Sequence, residues 1–181
     1  MNILLHICCA PCAIYPLKVL RAKGMSVTGF FFNHNIHPYQ EYRRRLDTVR
    51  EYAAKADLEV VYRHEYRIEE FLSAVAPNPA ERCGYCYASR LEAAASAAAE
   101  GGFEAFTSSL LYSRYQQHEF IRDLGEQLGK KHGVRFHYDD FRRGWQEGIH
   151  TSRELGLYRQ QYCGCIYSEK ERYLTIKPTK R

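Results

Sequence analysis

The chain has 181 residues, 45% of them apolar, with 26 Lys or Arg against 21 Asp or Glu and a net charge of +5. That makes one ordinary globular domain over residues 1–181 and excludes a disordered chain. The most apolar stretch, residues 3–20, is broken by His6, Pro11, Pro16 and Lys18, which excludes a membrane span or signal peptide there and leaves a cytoplasmic protein with no membrane partner as the expectation.

In chain order, Asn2 to Ile7 is a short apolar run that predicts a strand. A Cys/Pro loop with Cys8, Cys9 and Cys12 follows, then a helix over Pro16 to Lys23, with Pro at its start and Gly24 as its stop. Val27 to Phe32 predicts a strand covered on both faces. After the loop Asn33 to Pro38, with His34 and His37, the spacing of Leu46, Val49, Ala53 and Ala56 predicts an amphipathic helix over Tyr39 to Asp57. Leu58 to Tyr62 reads as a third strand and Ile68 to Val75 as a short helix, which Pro77, Asn78 and Pro79 break before a second cysteine loop, Cys83 and Cys86. The alanine run Ala88 to Glu100 predicts a helix ended by Gly101 and Gly102. Phe103 to Thr107 is a fourth strand, Gln116 to Lys131 a helix and Val134 to Tyr138 a fifth strand. Such alternation predicts an α/β fold, a Rossmann-like parallel sheet of about five strands with helices on both faces. Ligands of such sheets bind at the carboxyl ends of the strands, where both cysteine loops are expected.

Seven cysteines, an odd number, make a poor disulfide framework and point to metal or redox chemistry. Cys83 and Cys86 have a metal-ligand spacing, and three further thiols within Cys8 to Cys12 favour a multi-atom iron–sulfur centre over a structural zinc. Cys163-Gly164-Cys165 can close a strained, labile disulfide, the mark of a redox-active pair, or ligate a metal. His6, His34 and His37 are expected at or near the same rim, and Thr107, Ser108, Ser109 and Ser113 put hydroxyls after the fourth strand. Neither a GxGxxG nor a Walker loop is present, so nothing supports a nucleotide cofactor. Residues 142–181 carry nine basic against four acidic residues, while the remainder is balanced. That excess, with Arg142, Arg143, Arg153 and Arg159, ends in a basic tail over 175–181 with Lys177, Lys180 and Arg181. Together with the run Arg43, Arg44, Arg45 and 15 tyrosines, it suits a nucleic acid, since cations displace counterions from phosphates and rings stack on bases. A solvated surface is the alternative.

Four signatures carry a resemblance that spans nearly the whole chain. His6-Ile7-Cys8-Cys9-Ala10-Pro11-Cys12, Glu81-Arg82-Cys83-Gly84-Tyr85-Cys86-Tyr87, Phe106-Thr107-Ser108-Ser109-Leu110-Leu111 with Tyr115-Gln116, and Tyr162-Cys163-Gly164-Cys165 are similar to those of the cobalamin-independent epoxyqueuosine reductases. The resemblance implies reduction of the epoxide of epoxyqueuosine, in the wobble position of a tRNA anticodon, to queuosine. It implies a 4Fe-4S cluster on Cys8, Cys9, Cys83 and Cys86, and a redox-active pair in Cys163 and Cys165. Cys12 stands where many members carry Asp, a position for a second metal, iron or zinc; Arg114 stands where Pro is expected. The implied strand order is 3-2-1-4-5, as in the PP-loop group that contains the ATP-dependent tRNA thiolases, with the phosphate loop replaced by the cysteine loop. Partners on this reading are tRNA and an electron donor that the sequence does not identify. His6, His34 and Tyr112 are candidate proton donors. The alternatives are an iron–sulfur-dependent tRNA thiolase, which needs ATP, and a zinc-stabilised RNA-binding module.

Overall fold

The computed structural model describes residues 1–174; the basic tail expected over 175–181 lies outside the described residues. Five strands, β1 (Asn2–His6), β2 (Ser26–Phe31), β3 (Val60–Tyr62), β4 (Ala105–Ser108) and β5 (Arg135–Phe136), form one parallel sheet in the order β3-β2-β1-β4-β5. The chain winds outward from β1 through β2 to β3, then returns to the other side of β1 for β4 and β5. The order therefore reverses between β1 and β4, where connections leave in opposite directions and open a crevice at the carboxyl ends. His6 lies opposite Ser108 in that central pair, so whatever follows these two residues meets at the crevice.

The central strands are apolar on both faces because helices cover both. Ile3, Leu4, Leu5, Phe30, Phe31 and Phe106 are at most 1% exposed. Helix α1 (Ala10–Ala22) packs with α2 (Tyr39–Lys55) and α6 (Trp145–Glu154), while α4 (Arg82–Glu100) packs with α5 (His118–His132) and against β1 and β4. α3 (Ile68–Val75) has the bounds its sequence predicts, and α7 (Ile166–Tyr173) closes the described chain. Leu91, Ala94, Ala95 and Ala98 of α4 are fully buried, and their small side chains let that helix approach the sheet closely. Ala95→Leu is accordingly expected to lower the unfolding free energy by about 1–3 kcal/mol, seen as a lower urea midpoint at unchanged slope.

Two helices start six residues earlier than expected, and both move cysteines. α1 begins at Ala10 rather than Pro16, with Pro11 in its first turn, where a missing N–H costs no bond, and Pro16 inside. α4 begins at Arg82 rather than Ala88. Cys12, Cys83 and Cys86 are thus helical residues and not loop residues, and Cys83 and Cys86, three apart, share a helix face. α6 and α7 are additional to the expected helices, and α7 buries none of its residues, so no apolar stripe marks it.

Candidate metal centre

Past His6 the chain delivers Cys8 and Cys9 to the crevice, with Cys9 extended at the N-cap of α1 and Cys12 in the first turn. The Sγ atoms of Cys8, Cys9 and Cys12 all lie within 4.8 Å of one another, with Cys8 and Cys9 at 3.8 Å. Thiolates around one tetrahedral ion, with metal–sulfur bonds of about 2.3 Å, stand about 3.8 Å apart, so this triad can hold a metal. Polar hydrogens point at the same sulfurs. Gln160 Nε2 is 2.8 Å from Cys9 Sγ and 3.6 Å from Cys12 Sγ, and the Ser109 hydroxyl donates to Cys8 Sγ at 3.3 Å. The neighbouring Cys12 and Cys9 thiols, helped by Ser109 and Arg90 against burial, hold the Cys8 thiol well below its ordinary range. Burial pushes Cys9 up, and the Cys8 and Cys9 sulfurs push Cys12 up. The three sulfurs thus favour negative charge on Cys8, and a bound cation would release protons from the others.

Arg90 links this triad to the other cysteines. It is 2% exposed, one helical turn beyond Cys86 on α4, and its Nη2 lies 3.0 Å from Cys86 Sγ while its Nε donates to the Cys86 carbonyl. Burial alone would lower its pKa; the sulfurs of Cys86, Cys163 and Cys8 outweigh burial and raise it. Burial pushes the Cys86 thiol up to about 12 against the opposing field of Arg90, and also raises Cys83. One buried guanidinium thus touches Cys86 and is acted on by the charge of sulfurs from the other two cysteine groups. Cys83 and Cys86 stand apart from the compact triad of Cys8, Cys9 and Cys12.

Cys163 and Cys165, both free thiols, lie in the loop before α7. Gly164 between them has φ +153°, and a Cβ there would come within 3.4 Å of Ile36, Arg45 and Asn35, so the position needs glycine. Arg45 clamps this loop: Nη1 donates to the Cys163 carbonyl at 2.8 Å, Nη2 to the Tyr162 carbonyl at 2.9 Å, and Nε to Glu41 Oε1 at 2.7 Å. The Tyr158 hydroxyl holds the other Glu41 oxygen, and the His37 N–H donates to the Gly164 carbonyl at 2.8 Å. Cys163 is exposed, with Gln116 Nε2 at 3.4 Å from its sulfur, whereas Cys165 is buried and caps α7.

Several expected roles change. Arg45 is 2% exposed and ion-paired to Glu41, so it cannot meet a phosphate. Arg43 pairs with Asp47, Arg142 with Asp140 and Arg143 with Asp139, which cancels much of the charge that the runs suggest; Arg44 lies over the Tyr158 ring. His6 is fully buried, with Nδ1 2.9 Å from the Ser108 hydroxyl and Nε2 3.2 Å from the Phe32 carbonyl. A carbonyl only accepts, so Nε2 carries the proton. Burial, with Arg90, brings its pKa down to about 4: this is a neutral core imidazole with no proton to spare. Burial likewise takes His34 to about 4, with Nε2 3.3 Å from the Ser89 hydroxyl. Tyr112 is 2% exposed and donates its hydroxyl hydrogen to the Trp145 carbonyl at 2.9 Å; burial raises its pKa. Ser108 and Ser109 serve His6 and Cys8. Sequence reasoning missed Arg90, Gln160, Glu41 and Asn35, and it named Gln116 only as part of a signature, with no role. Arg90, a lone cation four residues after Cys86 in an alanine helix, had a legible signal. Gln160 had none. Asn35 Nδ2 and Oδ1, and both ring nitrogens of His37, are buried without a partner among the described residues, which marks that loop, beside Gly164, as polar surface turned inward at the site.

A five-stranded parallel sheet with a thiol cluster at its switch point defines a Rossmann-like α/β protein able to hold a metal where such folds bind ligands. A family model described as epoxyqueuosine reductase QueH matches residues 3–171, and the chain belongs to that family. Similar proteins named epoxyqueuosine reductase QueH include that of Dehalococcoides mccartyi, 40% identical over 95% of this chain and 94% of its own. That of Thermotoga maritima is 37% identical over 94% and 92%. A solved structure described as a predicted subunit of tRNA methyltransferase from Methanocaldococcus jannaschii has a TM-score of 0.52 over 87% of this chain and 89% of its own, at 12% identity. That likeness is one of fold.

Proposed function

We propose that the protein is an oxidoreductase that reduces epoxyqueuosine in a tRNA anticodon to queuosine, with a 4Fe-4S cluster on Cys8, Cys9, Cys83 and Cys86, Cys163 and Cys165 as its redox pair, and the reducing cytoplasm as its setting. The observation that carries this reading is that sulfurs from three cysteine groups, far apart in sequence, all act on one buried cation, Arg90, which Cys86 touches at 3.0 Å. Family membership favours the reductase over the thiolase and over a binding module without chemistry. No helix among the described residues is long and apolar enough to cross a membrane.

The donor set fits an iron–sulfur group in kind: soft thiolates, with N–H and O–H donors from Gln160, Ser109 and Arg90 aimed at sulfur. When bound, such a cluster supplies one-electron transfer and, at an open iron, Lewis acidity toward oxygen. The reaction itself needs two electrons and two protons: epoxide and dithiol give alkene, water and disulfide. Cys163 and Cys165 supply both electrons and both protons in that balance, and an external donor must then reduce the disulfide. With His6 and His34 neutral and Tyr112 holding its proton, the dithiol is also the proton source we favour. The exposed sulfur of Cys163 meets substrate and the buried sulfur of Cys165 closes the disulfide. We assign Cys12 to a second metal, iron or zinc; the compact spacing of its sulfur with those of Cys8 and Cys9 favours an ion at that end.

Maleimide labelling before and after a single turnover tests the dithiol. Two labelled thiols, Cys163 and Cys165, are expected to disappear, and Cys163→Ser or Cys165→Ser is expected to stop multiple turnover while leaving the visible cluster spectrum intact. Unchanged labelling after product has formed would remove the pair from the electron path.

A further inference from the structure

We propose that Arg114, Tyr115 and Trp145 form a stacking platform for unpaired RNA bases that flank the reacting nucleotide. The proposal rests on the tRNA reading above. Gln116 anchors the segment, since its Nε2 lies 3.4 Å from Cys163 Sγ and its Oε1 accepts from the Tyr87 hydroxyl at 2.8 Å. Its neighbour Tyr115 is nevertheless 84% exposed. A lone exposed ring needs no explanation, but this one ends a series. The Tyr115 ring meets Trp145 edge-on at 5.6 Å, Trp145 stacks on Tyr112 at 5.2 Å, and Arg114 lies over the Trp145 ring at 5.9 Å. Tyr112 is buried against Gly148, whose missing Cβ leaves room for the hydroxyl, in a segment, residues 109–112, that packs against α1, the helix that carries Cys12. Three rings therefore run from beside the helix that carries Cys12 out to solvent, ending next to Gln116, the residue that meets Cys163.

Charge selects the occupant. Arg43, Arg142 and Arg143 are paired with carboxylates and Arg45 is buried. Arg114 and Arg159 have no carboxylate partner among the described residues, and Arg114 lies over the Trp145 ring of the platform itself. Cations beside exposed rings fit a polyanion with stackable faces, and the bases of an RNA loop are splayed and unstacked where those of a duplex are not. An acidic protein would use the cations and leave the rings idle.

Trp145 is the only tryptophan in the chain, so its fluorescence reports on the platform directly. The probe is an unmodified RNA hairpin with a loop of anticodon size, compared with a blunt RNA duplex and an acidic peptide. Saturable quenching by the hairpin alone is expected. Tyr115→Ala should weaken hairpin binding about ten-fold, the scale of one base–ring stack, whereas Tyr115→Phe should keep it. Arg114→Gln should reduce the log–log salt slope by about one. Tyr115 is too exposed for its truncation to endanger the fold, and an unchanged unfolding midpoint verifies this. Equal hairpin affinity for Tyr115→Ala and the unaltered protein, or equal quenching by duplex or acidic peptide, would overturn the platform. Because no turnover is involved, the two readings fail separately. Quenching without reduction of epoxyqueuosine would sink the reductase, and reduction without hairpin-selective quenching would sink the platform.

Discussion

Replacing Cys8, Cys9, Cys83 or Cys86 by Ala is expected to strip iron and acid-labile sulfide from anaerobically purified protein and to abolish turnover. Each change removes one thiolate from the proposed centre and exposes its iron to solvent and oxidation. Cys86→Ala also leaves the guanidinium of Arg90 buried without the sulfur it now meets at 3.0 Å, so loss of fold stability should accompany loss of metal in that variant alone. Cys12→Ala is expected to spare most of the sulfide while cutting the rate severely. Cys12→Asp should restore part of that rate, because a carboxylate also ligates iron or zinc. Metal and sulfide analysis of all seven proteins, the unaltered chain included, decides the matter. Retention of full iron and activity by any of the four Ala variants would remove that cysteine from the ligand set. Stoichiometric zinc without sulfide in the unaltered protein would replace the cluster by a single ion on Cys8, Cys9 and Cys12, a geometry their spacing also accepts.

Arg45→Ala is expected to be the most destabilising single change outside the hydrophobic core. The Arg45 and Glu41 side chains are 1% and 8% exposed, so the substitution strands a buried carboxylate and frees the carbonyls of Tyr162 and Cys163. Breaking a buried pair from one side costs about 3–5 kcal/mol. For a chain of this length that lowers the melting temperature by roughly 6–20 °C. Arg45→Lys should rescue little, because a single ammonium cannot span Glu41 and two carbonyls at once. The same variants should label faster at Cys165, since the clamp that holds its loop against residues 35–37 is gone. Scanning calorimetry with timed maleimide labelling reads both effects. A melting temperature and Cys165 labelling rate equal to those of the unaltered protein would mean that the loop is held by α7 and His37 instead.

Arg45 also marks the boundary between what sequence and fold each decide. Arg43, Arg44 and Arg45 are one basic run in the sequence, yet a helix turns successive residues by about 100°. Two of them face solvent, and the third points at Tyr162 and Cys163. Which of the three turns inward depends on what packs over α2, and that comes from a loop 117 residues further on. The cancellation of Arg142 and Arg143 by Asp140 and Asp139 was in plain view as adjacent residues, but only side-chain geometry shows that the charges meet.

By itself the sequence determined the alternation of strands and helices, the helix Ile68–Val75 to the residue, and the three cysteine groups with their chemical bias toward metal and redox work. These follow from short-range patterns: apolar runs that suit a doubly covered strand, three- and four-residue spacing, and thiols too close to be casual. Tertiary structure alone decided that α1 and α4 begin early enough to carry Cys12, Cys83 and Cys86 on helices, that His6 is a core imidazole, and that the buried Arg90 meets the Cys86 sulfur. The reason is physical. A helix start, a histidine's charge and an arginine's partner depend on burial and on neighbours a hundred residues away, which no local pattern encodes until β1 and β4 are paired and their carboxyl ends meet.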